Sequence, residues 1–295
     1  DPAHPVLTNK HEPTVTQVKV TKKWDDANNQ DGLRPKEIRV QLYAGDQKLG
    51  KEVVLSADNK WTHTFEKLAE KANGQDIHYS VKEVDVPEGY TVTEESKEKG
   101  DVVLTNTHTP STVDIPVTKI WVDNDNQDGL RPTKITVKLL ANGGEVARKD
   151  ITSETDWKET FTGLPKFKDG KEIVYTLQEE KVENYSPSID QESYTITNTH
   201  TPGKTTLSVT KQWDDQEDKD GLRPKSVKVQ LYADGKKSGE VIELSADNKW
   251  TYTFTDLVEK ANGKAISYTV EEVDVPTGYQ VTKTDDSQGN VVLTN

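Results

Sequence analysis

"VTKKWDDANNQDGLRP" (Val20–Pro35) returns without a gap as "VTKIWVDNDNQDGLRP" (Val117–Pro132) and "VTKQWDDQEDKDGLRP" (Val209–Pro224). A period of about ninety residues indicates a tandem of small domains, not a solenoid, whose units are shorter. Behind each copy the segments keep one order. A strand-like run comes first: "EIRVQLYA", "KITVKLLA", "SVKVQLYA". A Trp segment is next: "NKWTHTF", "TDWKETF", "NKWTYTF". Then come "IHYSVKEV", "IVYTLQEE" and "ISYTVEEV", and last a Thr-Asn run in "VVLTNTHTP" (Val102–Pro110), "TITNTHTP" (Thr195–Pro202) and "GNVVLTN" (Gly289–Asn295). The first and third copies share "LSADNKWT" and "EVDVP", which the second lacks, so two repeat types alternate. The expected domains are 16–110, 111–202 and 203–295. Residues 1–15, with "VLTNKHEP" (Val6–Pro13), read as the tail of a preceding copy or a linker, and "HTPSTVD" and "HTPGKTT" read as short linkers stiffened by proline.

The local pattern is β throughout. Val, Ile, Thr and Tyr alternate with Lys, Glu and Gln, and Gly, Asn, Asp and Pro mark the breaks. In the first copy, strands are expected near 17–24, 37–44, 50–56, 60–66, 76–84, 89–95 and 101–107, with one helical turn in "EKLAEKANG" (Glu66–Gly74). About seven short strands per copy predict three tandem immunoglobulin-like antiparallel β-sandwiches, an all-β chain. Composition agrees with several slim domains: of 295 residues only 31% are hydrophobic and 30% are charged. The formal net charge of -13 argues against nucleic acid and anionic lipid as partners, which carry the same sign. There is no Cys to staple small domains and no Met, and the chain opens on Asp1, so it reads as a fragment or processed product. No run of eighteen apolar residues suggests membrane insertion in this segment, and no signal peptide opens it.

Tracing the faces of the strands exposes an anomaly. Residues i, i+2 and i+4 share a face. Val20, Lys22 and Trp24 therefore point the same way, as do Val117, Lys119 and Trp121, and Val209, Lys211 and Trp213. If Val and Trp face the core, a Lys faces it with them. Tyr79, Val81 and Glu83 share a face, as do Tyr175, Leu177 and Glu179, and Tyr268, Val270 and Glu272; the neighbouring Glu180 and Glu271 point to solvent. In the closing strand Leu104 and Asn106, Ile196 and Asn198, and Leu293 and Asn295 pair in the same way. Each repeat thus offers an inward Lys near its start, an inward Glu late, and an inward Asn at its end.

Two readings fit this set. One is a buried Lys–Glu ion pair capped by an amide, which costs several kcal/mol of desolvation per ion. The other is covalent. Burial lowers a Lys pKa and raises a Glu pKa. A neutral amine is a nucleophile. A protonated Glu can hydrogen-bond the Asn carbonyl and relay protons while Lys displaces ammonia from the Asn side-chain amide. The charges, and their desolvation cost, then disappear.

With "VTKxW", the Tyr-x-Val/Leu-x-Glu strand and the closing "TNTHTP", residues 17–295 resemble the Cna B-type domains, the collagen-adhesin B repeats, of Gram-positive cell-wall-anchored surface proteins. The resemblance implies an inverse immunoglobulin-like sandwich with an intramolecular Lys–Asn isopeptide bond promoted by an acidic residue. Carried over by position, the bonds are Lys22–Asn106 with Glu83, Lys119–Asn198 with Glu179, and Lys211–Asn295 with Glu272. It implies a stalk that projects an adhesive head of the same chain from the cell wall, outside the cell, with adjacent repeats as neighbours, a host matrix protein reached through the head, a monomeric chain and no cofactor. The alternative is that the repeats themselves bind a host matrix ligand. Asn9 is expected to have its Lys partner upstream of Asp1 and to stand unreacted. An ordered chain stopping at Asn295 is what a bond to Lys211 would produce.

Other signals carry less. "DNDNQDGL" (Asp123–Leu130) has oxygen ligands before a glycine, but Ile135 stands where an EF-hand has its last Glu, so a solvated turn is expected and no metal. His108 and His200, echoed by His11, sit at the domain junctions without other ligands and suit junction packing. The pairs Trp24/Trp61, Trp121/Trp157 and Trp213/Trp250 suit a core or structural face better than carbohydrate stacking. No phosphate loop or hydrolase motif appears, and self-chemistry of the Lys-Glu-Asn kind turns over once, so no enzyme is expected.

Overall fold

Alternating β-branched and long polar residues make each repeat a set of short strands with one face apolar. The computed structural model describes residues 8–97, 100–286 and 289–295. In the first repeat a four-stranded sheet runs in the order Thr62–Ala69, Val15–Asp25, Val102–Thr107, Thr91–Ser96, and a three-stranded sheet in the order Gln47–Ser56, Glu37–Ala44, Tyr79–Val84. The third repeat has the same plan: Thr251–Val258, Lys204–Gln212, Val291–Thr294, Thr282–Asp285, and Lys236–Ser245, Ser226–Ala233, Tyr268–Val273. In the second, Thr112–Val122 pairs with Thr195–Thr199, which pairs with Ser186–Asp190, and Lys134–Ala141 pairs with Gly144–Thr152. The chain divides into two compact units, Asp1–Ile115 with Thr160–Tyr175, and Pro116–Glu159 with Thr176–Asn295.

The all-β sandwich expected from the sequence is present, with one refinement. The first and last strands of each repeat lie side by side and parallel. Lys22 stands opposite Leu104 and Trp24 opposite Asn106. Lys119 stands opposite Ile196 and Trp121 opposite Asn198, and Lys211 opposite Leu293. The inner faces bury Val18, Val20, Ile38, Val40, Leu42, Leu55, Val81, Val102 and Leu104 in the first repeat. The matching cluster of the third includes Val209, Val229, Leu231, Leu244, Val270 and Leu293. Val117, Val137, Leu139, Ile151, Leu177 and Ile196 are buried in the second.

Three local expectations are corrected. Trp61 does not lie in a strand. A 3-10 turn, Ala57–Asn59, is held by Asn59, whose Oδ1 accepts from Ser56 N at 3.0 Å and whose Nδ2 donates to Val54 O at 2.7 Å. Lys60 and Trp61 then turn left-handed, at φ 54° and 58°, before the strand begins at Thr62. The stretch Glu66–Gly74 forms no helical turn. Its strand continues to Ala69, and a two-residue hairpin, Lys71–Ala72 with Gln75–Asp76, turns at Asn73 and Gly74. Their φ values of 51° and 81° explain the choice, because a two-residue hairpin turn needs positive φ at both positions. The linkers are shorter than expected, since strands already begin at Thr112 and Lys204. Residues 8–14, including the exposed Asn9, form no strand, and the earlier part of the expected tail, residues 1–7, lies outside the described residues.

Leu104 is 1% exposed, whereas Val92, on the edge strand beside it, is 36% exposed. Leu104→Ala is expected to lower the stability of the first repeat by about 2–5 kcal/mol. Val92→Ala should cost under about 0.5 kcal/mol. Hydrogen-exchange protection of residues 15–97 checks the contrast.

Candidate functional site

The parallel pair puts Lys22 and Asn106 on the inner face of one sheet, two register positions apart, because Asn106 stands opposite Trp24. Glu83 comes from the other sheet, where it pairs with Val40. The Lys22 and Glu83 side chains are both 0% exposed, with Nζ 3.7 Å from Oε2. Asn106 Nδ2 donates to Glu83 Oε1 at 2.9 Å. The carboxyl group thus bridges the amine and the amide nitrogen. In the second repeat Lys119 Nζ is 3.4 Å from Glu179 Oε1, and Asn198 Nδ2 donates to the same oxygen at 3.2 Å. In the third, Lys211 Nζ is 3.7 Å from Glu272 Oε2, and Asn295 Nδ2 donates to Glu272 Oε1 at 2.9 Å. The nine residues singled out in the sequence are therefore three contacting sets of three.

The amide is turned differently from the sequence expectation. Nδ2 faces the Glu, and Oδ1 of Asn106, Asn198 and Asn295 is buried without a hydrogen-bond donor among the described residues. Burial sets the protonation. It pulls the amines of Lys22, Lys119 and Lys211 down to about 8, against the attraction of the neighbouring Glu. Burial also pushes the Glu83 carboxyl up, against the hydrogen bond from Asn106 and the charge of Lys22. Both shifts favour a neutral amine beside a neutral acid.

An aromatic wall covers the amine. Lys22 Nζ lies 4.0 Å from the Trp24 ring centre, with 4.2 Å and 4.3 Å at Lys119/Trp121 and Lys211/Trp213. Trp24 is held edge-on by Trp61 at 5.3 Å and by Tyr90 at 5.2 Å. The Trp pairs are thus part of the site's wall, and the left-handed turn at Trp61 is what aims it there.

Behind the wall is a network that the sequence reading missed. Asp26 accepts from Arg34 Nε at 3.0 Å and Nη2 at 2.5 Å, from Tyr90 Oη at 2.8 Å and from Asn29 N at 2.9 Å. Asp123 with Arg131 and Tyr185, and Asp215 with Arg223 and Tyr279, repeat it. The signal was present in the fixed spacing of Asp26 and Arg34 within the decisive stretch, but Tyr90 joins from a loop far along the chain. The loop considered for calcium is the same structure, and the Asp123 carboxylate is taken up by the Arg131 guanidinium.

The histidines lie at the ends of the repeats. His108 places Nδ1 2.8 Å from Gly89 O and Nε2 3.0 Å from Asp31 Oδ2, while Ser111 N donates to the same Asp31 oxygen at 2.8 Å. His200 does the same with Asn184 O at 3.0 Å and Asp128 Oδ2 at 2.9 Å, and Gly203 N donates to that oxygen at 3.1 Å.

The three repeats match a known family of domains. The family described as "Cna protein B-type domain" matches residues 18–107, 115–199 and 207–295. The chain belongs to the Cna B-type domain family. A collagen adhesin of Staphylococcus aureus is 47% identical over 289 residues, which are 98% of this chain and 24% of the adhesin. The chain thus spans about a quarter of that relative's length. The crystal structure of two B repeat units of the collagen binding protein of Staphylococcus aureus matches with a TM-score of 0.61 and 47% identity, covering 95% of this chain and 75% of that one. Three Cna B-type repeats in tandem account for both the period and the sheet plan.

Burial raises the Asp26 pKa, but the hydrogen bonds from Arg34, Asn29 N and Tyr90 outweigh it and bring the carboxyl to about 2. A folded value below the unfolded one, roughly 3.9, means the stabilisation is complete above pH ~4 and is lost as pH falls towards 2. It amounts to at most about 2 kcal/mol. Asp26→Asn should remove this acid dependence in the first repeat, as read by urea unfolding at neutral and acid pH.

Proposed function

We propose that each Cna B-type repeat, taken as 16–110, 111–202 and 203–295, closes itself with a Lys–Asn isopeptide bond and serves as a load-bearing element of a surface stalk. The observation that carries the reading is the carboxyl group bridging a buried amine and a buried amide in all three repeats. The proton of the Lys ammonium passes to the Glu carboxylate, which burial favours. The neutral amine attacks Cγ of the Asn. The new C–N bond forms first; the carboxyl then delivers a proton to the departing nitrogen, which it already contacts, ammonia leaves, and the carboxylate takes the remaining extra proton from the attacking nitrogen, so that a neutral amide and a protonated Glu are left. Each site reacts once, so the protein is not an enzyme.

The parallel strand pair supports the mechanical part. Tension enters a repeat at the start of its first strand and leaves at the end of its last, which shears the hydrogen bonds between them. A covalent link from Lys22 to Asn106 transmits that tension directly, and the residues between are not stretched. By analogy with disulfides, a cross-link closing so long a loop stabilises by ~4–5 kcal/mol. Unlike a disulfide it is indifferent to redox conditions, which suits a chain without Cys. In this reading the repeats lie outside the cell, on a wall-anchored adhesin whose head makes the host contact. Binding of this chain to immobilised collagen, if found, would favour the repeats themselves as the ligand-binding part.

Intact mass tests the chemistry. The protein should be lighter than its sequence by one ammonia per repeat. Lys22→Ala, Asn106→Ala and Glu83→Ala should each restore one ammonia; a full sequence mass for the unaltered protein defeats the proposal. In freshly refolded chains the bond should form faster as pH rises towards about 8, where the amines lose their protons. Timed mass spectra across that range check the direction.

A further inference from the structure

On one flank of the first repeat both sheets end in an edge strand, Gln47–Ser56 in one and Thr62–Ala69 in the other. A slit of about 620 Å³ lies between them. Its floor is the inner face of the sandwich, Leu42, Phe65 and Tyr79, and Leu49, Val53 and Leu68 extend the apolar lining. The Tyr79 hydroxyl already donates to Ala69 O at 2.8 Å, so the ring adds an apolar wall. Leu49 is 39% exposed, a large apolar side chain left facing water. The lining omits the hairpin tip at Asn73 and Gly74, the part that in the second repeat meets a neighbouring repeat, where Gly170 N donates to Gln30 O. A largely apolar slit of this size suits a small molecule.

Two features select the occupant. Both edge strands bulge beside the slit: Gly50, Lys51 and Glu52 together face Gln41, and Glu66 and Lys67 together face Gln17. A bulged edge has lost the even ladder of N–H and C=O groups that an added peptide strand needs. The slit therefore suits a chain without a peptide backbone. The bulges also set an exposed lysine on each side, Lys51 and Lys67; Glu66 shares the rim, leaving an excess of one positive charge. The net charge of -13 does not cancel this, because charges farther off than about 8–10 Å are screened at physiological salt. The other repeats alter the same positions. In the third, Ser238 replaces Leu49, Glu240 replaces Lys51 and Asp256 replaces Lys67, and Asp256 holds Lys204 at 3.2 Å. In the second, Lys149 and Glu159 replace Val53 and His63, and their ion pair at 3.1 Å links the two strands that form the lips.

We propose that the slit of the first repeat binds a free anionic amphiphile with a single alkyl chain, a fatty carboxylate. The alkyl chain lies over Leu42, Phe65 and Tyr79, and the carboxylate sits between Lys51 and Lys67. Most of the affinity comes from covering apolar surface that the sandwich leaves open to water. The lysines, being exposed, add less, but they choose the sign of the head group. The same chemistry excludes the other repeats. Glu240 and Asp256 repel a carboxylate at the third slit, and the Lys149–Glu159 pair bars the second. The site does not depend on whether the isopeptide bonds form.

Sodium decanoate, kept below the concentration at which it forms micelles, tests the slit against the whole chain by amide NMR. Saturable shifts are expected at Leu49, Lys51, Lys67 and Leu68, with a dissociation constant on the order of 0.1–1 mM for so small a ligand. The corresponding Ser238, Glu240, Asp256 and Leu257 should not move. Lys51→Glu with Lys67→Asp, which installs the third repeat's residues at two exposed positions, should weaken binding about tenfold while the rest of the spectrum stays that of the folded chain. Decyltrimethylammonium, with the same chain and the opposite charge, should bind weaker by a similar factor. No shift at decanoate concentrations on the order of 10 mM overturns the proposal. So does an equal response to the two head groups, to the double variant, or from the first and third repeats. Shifts at the same amides on raising the protein concentration alone would give the slit to a second copy of the chain, and would overturn it too.

Discussion

The side-by-side, parallel placement of the first and last strands governs everything else in a repeat. Chain neighbours in a sandwich usually pair antiparallel through a hairpin, while a parallel pair needs a long crossover. Here the crossover is the rest of the domain. The arrangement brings Lys22 to Asn106, and the facing sheet delivers Glu83 between them. With the strands antiparallel, or shifted by one residue, one partner would turn to solvent.

Around that pairing the repeat spends much of its aromatic material on one amine. Trp24, Trp61 and Tyr90 form a wall, and Asp26 with Arg34 fixes it from behind. The arrangement explains why a lean sequence keeps two tryptophans in every repeat. A dry, low-dielectric pocket makes the ion pair costly, and a neutral pair removes the cost. Protonation and packing are therefore one design, not two.

Much of this was legible in the sequence, for a simple reason: strands with one buried face obey a period of two. Lys22, Glu83 and Asn106 could be placed on inward faces because Val20, Val81 and Leu104 mark those faces. Where the backbone departs from the ladder the rule fails. Gln41 is 3% exposed although it alternates with the inward Val40 and Leu42, because the neighbouring strand bulges beside it between Val53 and Leu49, and its Nε2 donates to Leu42 O and Leu49 O. Trp61 escaped for the same kind of reason, since positive φ is unusual for a bulky residue and has no periodic signature. The Asp26–Arg34–Tyr90 network escaped because its third member is sixty-four positions from its first. Long-range partnership of that kind is a property of topology, which local pattern does not carry.

The closing strand occupies an interior position, between Val15–Asp25 and Thr91–Ser96. In a chain that emerges from its N-terminal end, that slot stays unfilled until the whole repeat has been made. During the interval it is a template with two unpaired edges, and the closing strands of neighbouring repeats compete for it. Tandem arrays of like domains are prone to this exchange. Here adjacent repeats differ in type, and the two that resemble each other are separated by one that does not. Alternation thus acts against swapping: the wrong strand that arrives next is the less similar one.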